Sequence, residues 1–128
     1  MYTVAVEREF VARHFLFGGN WGDENNPHVH HYKVEVRLKG AYLDEHGYLV
    51  DIVDIETFLD QQVDHYRDQM LNSMPEFSGL NPSIEHFARI FCNSLAGRLG
   101  ASRLSSISVK IWENRIAWAS YEQEVECG

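Results

Sequence analysis

The chain has 128 residues, 45% of them hydrophobic and 23% charged, which suits one domain, residues 1–128, around one core and excludes a disordered segment. No apolar run approaches the roughly 20 residues of a spanning helix and no secretory or transit signal opens the sequence, so a cytoplasmic protein without a membrane partner is expected. Eleven Lys and Arg against 19 Asp and Glu give a formal charge of −8 without a basic cluster, which argues against nucleic acid as a partner.

From the N-terminus, Tyr2 to Leu16 alternates and predicts a long strand. Its even row (Val4, Val6, Arg8, Phe10, Ala12, His14, Leu16) is apolar apart from Arg8 and the imidazole near its end. Phe17 to Pro27 is rich in Gly and Asn and predicts an irregular connection. A second alternating segment follows from His28 to Lys39. Side chains on a strand alternate faces, so His28, His30, Tyr32, Val34, Val36 and Leu38 share the core-side row, opposite a mostly charged one. Two imidazoles aimed at a core are costly without a partner. A metal ion satisfies both, and neutral imidazole is a preferred zinc ligand.

A loop around Asp44 to Gly47 and a short extended piece, Leu49 to Ile52, lead to a helix expected to start near Asp54 or Glu56. Ile55, Phe58, Leu59, Val63 and Tyr66 form its apolar face. Met74 to Pro82 is a second loop. Ser83 is the N-cap candidate of the next helix, with Glu85 in the favourable first turn and a stripe running from Ile84 to Leu99. Gly97 and Gly100 mark its end. Ser105 to Glu113 alternates with Ile107, Val109 and Ile111 inward, and Asn114-Arg115 turns into a last strand, Ile116 to Tyr121. This order predicts an α+β fold, a four-stranded antiparallel sheet with two helices on one face.

If the first two strands pair antiparallel, His14 meets His28 and His30. Three nitrogen ligands leave a fourth tetrahedral position open, the pattern of a catalytic zinc site. One inward histidine is ordinarily a satisfied core residue; three on paired strand ends are not. Asp64-His65 lies near the end of the first helix, where adjacent residues cannot both face one way. A solvated surface pair and a proton relay both fit it. Glu113 closes an inward row, either bending into solvent or accepting two hydrogen bonds from an amidine-like edge, as on guanine or pterin. Cys92 lies in the helical stripe and reads as core, Cys127 as exposed tail, and their spacing suggests neither disulfide nor metal.

These segments together resemble the 6-pyruvoyltetrahydropterin synthase / 6-carboxytetrahydropterin synthase family over nearly the whole chain. Phe10-Val11-Ala12-Arg13-His14 resembles its F-x-A-x-H segment, and His28-Val29-His30-His31-Tyr32 its H-G-H-x-Y segment. Gly47-Tyr48-Leu49-Val50-Asp51 is similar to G-M-V-x-D/N, Asp64-His65 to L-D-H, Asn81-Pro82-Ser83-Ile84-Glu85 to P-T-x-E, and Trp112-Glu113 to the final E-T. The resemblance implies a tunnelling fold, in which sheets of three subunits close a barrel and two trimers stack into a homo-hexamer with active sites between subunits. It implies zinc (Zn2+) on His14, His28 and His30, and Ser83, Glu85 and Glu113 as substrate-binding residues, Glu113 holding the pterin ring. It also implies proton transfer by Asp64 and His65 and 7,8-dihydroneopterin triphosphate as substrate. Queuosine biosynthesis is one pathway such a lyase serves.

The departures concern catalysis. The family's catalytic cysteine normally precedes the H-G-H segment, but here Asp23-Glu24-Asn25-Asn26-Pro27 contains none. Glu24 falls about where the thiol would be, with Asp23 beside it. A carboxylate can serve as base, yet its ordinary pKa of about 4.3 has to be raised by burial. Val29 replaces glycine, Ser83 replaces threonine, Asn114 follows Glu113, and a short insertion follows Asp64-His65. A related subgroup with Glu in this region implies cleavage to 6-hydroxymethyl-7,8-dihydropterin for folate synthesis. Two rivals stand beside these lyases: a non-catalytic pterin- or purine-binding homologue, and a monomeric zinc hydrolase on an unrelated fold.

Overall fold

The computed structural model describes residues 1–99 and 104–125, so Gly100 and Cys127 lie outside the described residues. Four strands, β1 (Tyr2–His14), β2 (His28–Gly40), β3 (Ser106–Trp112) and β4 (Trp118–Glu124), form one antiparallel sheet in sequence order. Two helices, α1 (Ile52–Tyr66) and α2 (Ile84–Leu99), lie between β2 and β3 in the chain. The sheet and helices are those expected from the alternation and the stripes.

Register explains which face is buried. Val6 sits opposite Val36, Phe10 opposite Tyr32, and Val36 opposite Val109. Tyr32, Val34, Val36, Leu38, Ile107, Val109 and Ile111 are all fully buried on this face. Against it pack Ile55, Leu59, Val63 and Tyr66 of α1, and Phe87, Ala88, Phe91, Cys92 and Leu95 of α2. Each large side chain removed from water contributes about 1.5–3 kcal/mol, so a one-residue slip, which would turn the whole row outward, is strongly disfavoured. Arg8, the exception in the inward row of β1, reaches α1 and pairs with Asp60 at 2.7 Å and Glu56 at 3.7 Å. On the opposite face Lys33 meets Glu7 at 3.5 Å, and Arg37 pairs with Glu35.

Several boundaries differ from expectation, each for a local reason. The first strand ends at His14 rather than Leu16. The Phe15 N–H donates to Asn72 Oδ1 at 2.9 Å and its carbonyl accepts from Asn72 Nδ2 at 3.0 Å, so a side chain replaces the neighbouring strand. The piece Leu49 to Ile52 is not a strand, and α1 begins early because the Asp51 carboxylate caps the Val53 N–H at 2.9 Å. The stretch expected as a loop from Met74 to Pro82 includes a 3-10 turn, Pro75–Phe77, that buries Phe77. The last strand starts at Trp118 rather than Ile116 because Asn114 Oδ1 accepts from the Ile116 and Ala117 N–H groups, at 2.9 and 2.8 Å. Among the described residues no helix is long and apolar enough to cross a membrane.

Candidate metal centre

His14 is the last residue of β1 and lies directly across from His28, the first of β2, while Ala12 faces His30. Antiparallel pairing thus gathers three imidazoles at one end of the sheet. Their ring centroids are 4.4 to 4.6 Å apart, and one nitrogen from each lies within 4.8 Å of the other two. The histidine geometry read from the alternation is present, and the cluster could hold a metal ion.

Protonation favours a ligand role. Burial pushes the His14 imidazole down to about 4, helped by His30 and His28, so it is neutral at neutral pH. His28 Nδ1 lies 2.8 Å from the Asn26 carbonyl, which can only accept, so Nδ1 carries the hydrogen and Nε2 a free lone pair. That Nε2 is buried without a hydrogen-bond partner, an unsatisfied atom that the donor set of a metal site explains. His14 Nδ1 lies 2.8 Å from the buried Tyr32 hydroxyl, leaving its Nε2 as the nitrogen available for a metal. Burial and the nearby Glu113 charge push the Tyr32 pKa up, so the hydroxyl stays protonated.

Glu24 lies on a 3-10 turn, Gly22–Asn25, folded back on the end of β1. The Leu16 N–H donates to the Glu24 carbonyl at 2.9 Å. Asn25 Nδ2 donates to the Leu16 and Gly19 carbonyls, both at 3.0 Å, and its Oδ1 accepts from the Trp21 N–H at 2.8 Å. Asn81 clamps Phe17 through both backbone groups, at 2.8 and 2.9 Å. The turn is therefore held two residues beyond His14, with the Asp23 and Glu24 side chains exposed in the single chain.

Glu113 follows β3 and is half-buried; it lines, with His30, His31, Lys33, Trp112 and Arg115, a cavity of about 730 Å³. That volume suits a drug-sized ligand. His30 and Glu113 therefore share one cavity, while the other candidates lie apart from it. Asp64 points to Arg67 at 3.4 Å, and His65 Nε2 meets Glu76 Oε2 at 2.7 Å. The two adjacent side chains diverge, as helical geometry requires. Between His65 and His14 run the rings of Tyr66, Phe87 and Tyr32, in successive contact at 4.8, 5.0, 5.3 and 6.3 Å. Ser83 caps α2, its Oγ accepting the His86 N–H at 3.1 Å, and Glu85 is exposed in the first turn. Among the described residues no hydrogen bond joins either one to His14, His28 or His30.

Sequence reading missed Tyr32 as a site residue, along with Asn25, Asn72, Asn81 and Glu76. Tyr32 carried a signal: a hydroxyl in an apolar row, on the same face as His30, needs a partner. The others reach across 4 to 64 residues of chain, where no periodicity points.

A family model for 6-pyruvoyl tetrahydropterin synthase matches residues 3–124. The chain belongs to the 6-pyruvoyl tetrahydropterin synthase family. The solved Plasmodium vivax 6-pyruvoyl tetrahydropterin synthase is similar to it at 17% identity, with a TM-score of 0.80 over 97% of this chain and 98% of that one. The Caenorhabditis elegans synthase is similar at 22% identity, with a TM-score of 0.78 and the same coverage. Two further Plasmodium vivax structures, at 17% identity over the same shares and with TM-scores of 0.81 and 0.79, are catalytic-residue variants with a glutamate changed to cysteine or alanine. At such identities the likeness attests the tunnelling fold. No curated protein matches the sequence.

Proposed function

We propose that this chain is a zinc-dependent lyase acting on 7,8-dihydroneopterin triphosphate, with His14, His28 and His30 holding the metal. The observation that carries the reading is the triad itself: three gathered imidazoles, one of whose buried nitrogens has no partner. When bound, zinc supplies Lewis-acid polarisation of a side-chain hydroxyl or carbonyl of the substrate. Glu113 accepts two hydrogen bonds from the amidine edge of the pterin within the cavity it shares with His30. Glu24 takes the proton from the substrate side chain, and the Asp64-His65 segment returns one. Ser83 and Glu85 would line the substrate at the start of α2.

Glu24 as base has two supports. It stands on a turn pinned beside the end of β1, and a glutamate is the catalytic residue altered in the Plasmodium vivax variants. Its exposure in the single chain fits a site closed by a neighbouring subunit, which would also bring in His65. β1 and β4 are the edge strands of the sheet. The end of β1 is already taken, with the Asp68 N–H on the Val11 carbonyl at 2.7 Å and the Arg13 N–H on the Gln69 carbonyl at 2.9 Å; pairing of copies through the rest of β1 and through β4 fits a homo-hexamer built as a dimer of trimers. We place the protein in the cytoplasm, as one domain with a small-molecule substrate and without nucleic-acid or membrane partners.

A glutamate in place of the usual thiol favours a second product, 6-hydroxymethyl-7,8-dihydropterin, over the pyruvoyl or carboxy pterins. Incubating zinc-loaded protein with dihydroneopterin triphosphate and separating the pterins decides among them. Glu24→Ala should abolish product while zinc content is retained. If wild-type protein binds the pterin ring yet forms no product over buffer, the lyase reading fails in favour of a non-catalytic binding protein.

A further inference from the structure

We infer that Glu76, not the adjacent Asp64, is the carboxylate that holds and orients the His65 imidazole, and that it is a positioning residue of the pterin site. The catalytic half of this assignment rests on the function proposed above; the pairing stands on geometry alone.

His65 Nε2 lies 2.7 Å from Glu76 Oε2, whereas Asp64 is turned away to Arg67 at 3.4 Å. An exposed ion pair of this kind would ordinarily contribute little. Here a chain of hydrogen bonds that starts from the exposed Ser94 and Arg98 and passes through the buried Gln62 and Tyr66 stands behind it. Arg98 Nε and Ser94 Oγ donate to Gln62 Oε1 at 2.9 and 3.0 Å. Gln62 Nε2 donates to the Tyr66 hydroxyl at 3.3 Å, which in turn donates to Glu76 Oε2 at 3.5 Å. Gln62 and Tyr66 are both fully buried, a costly placement for an amide unless each group is satisfied. The donors run in one direction, from α2 through α1 to Glu76.

Charge is consistent with this direction. Burial pushes the Glu76 carboxyl up, but its own backbone N–H, the His65 imidazole and the Tyr66 hydroxyl outweigh burial and hold it below the usual carboxylate range. Burial and the Glu76 charge push the Tyr66 hydroxyl up, which keeps it a donor. With Nε2–H committed to Glu76, His65 presents Nδ1 as the free nitrogen, the one able to take or give a proton. The segment between them makes this possible. Asp68, at φ 62°, turns the chain after α1, and the 3-10 turns Leu71–Ser73 and Pro75–Phe77 bring Glu76 back.

The test uses full-length zinc-loaded protein and two independent readouts. In urea unfolding, the midpoint shifts of His65→Ala and Glu76→Gln should be non-additive, while those of His65→Ala and Asp64→Asn add. In turnover of dihydroneopterin triphosphate, Glu76→Gln should lower kcat by about tenfold, less than the roughly 100- to 10,000-fold of general acid–base catalysis because the imidazole itself is kept, with KM little changed. Glu76→Asp should restore part of that loss, Tyr66→Phe should fall between, and Glu76→Gln should add nothing to His65→Ala. Additive midpoints for His65 and Glu76, or full activity of Glu76→Gln, overturn the assignment. Coupled midpoints in a protein that turns over no pterin uphold the pairing and bring down only the proposed reaction.

Discussion

Replacing Tyr32 with Phe removes one oxygen from beneath the histidine triad and leaves the packing of the ring in place. The ring is fully buried, stacked on Phe10 at 5.5 Å and edge-on to Phe87 at 5.3 Å, so the variant should fold. What disappears is the 2.8 Å contact between the hydroxyl and His14 Nδ1. In the metal-free protein that hydroxyl can donate to a bare Nδ1. With a metal on Nε2 the ring must carry Nδ1–H, and the Tyr32 oxygen becomes its acceptor. His14 is only 4% exposed, so water does not readily replace that acceptor. A buried donor left unpaired costs about 1–3 kcal/mol. Loss of such an outer hydrogen bond weakens metal binding by roughly 10–100-fold. Because the metal-free variant also loses a bond, the lower end applies, about tenfold. Competition with a chromophoric chelator at neutral pH reads the change directly. Unaltered zinc affinity in a folded Tyr32→Phe protein would refute the reasoning about the His14 tautomer.

Three other outcomes follow from the same geometry. The metal-free protein should lose stability as pH falls from 6.5 toward about 4, because the unfolded chain protonates His14 in that window and the folded chain, with His14 neutral, does not. Stability is full above that window and drops by up to about 3 kcal/mol across it, and a flat series of urea midpoints would contradict this. Ser83→Ala removes the cap of α2 and should cost about 1 kcal/mol in unfolding, with Ser83→Thr close to neutral. Asn25→Ala cuts the three hydrogen bonds that pin the Glu24 turn; it should depress turnover while zinc content stays at the wild-type level. Metal loss in that variant would tie the turn to the triad instead.

The triad was legible in the sequence because alternation in β1 and β2 is strict. Val4, Val6 and Phe10 on one strand and Tyr32 to Leu38 on the other can only face the core, and that places His14, His28 and His30 with them. Arg8 broke the row without an evident reason, since its partners Asp60 and Glu56 lie on a helix more than forty residues later. The end of β1 was misread for a similar cause: Asn72 supplies the Phe15 hydrogen bonds from a distant turn, and nothing near Leu16 announces it. The start of α1 lies ahead of the expected Asp54 or Glu56, although Asp51 before Ile52 is an ordinary N-cap signal that would have located it. The partner of His65 was not legible. Adjacency in the chain suggests Asp64, but two short turns without apolar periodicity deliver Glu76.

The central claim is that His14, His28 and His30 together hold one metal ion. Zinc content measured on purified wild-type protein and on His28→Ala, with X-ray absorption on the bound metal, tests it most directly. Stoichiometric zinc with imidazole nitrogen ligands in the wild type, and its loss in a folded His28→Ala protein, is the predicted result. Full zinc retention in His28→Ala would contradict the assignment.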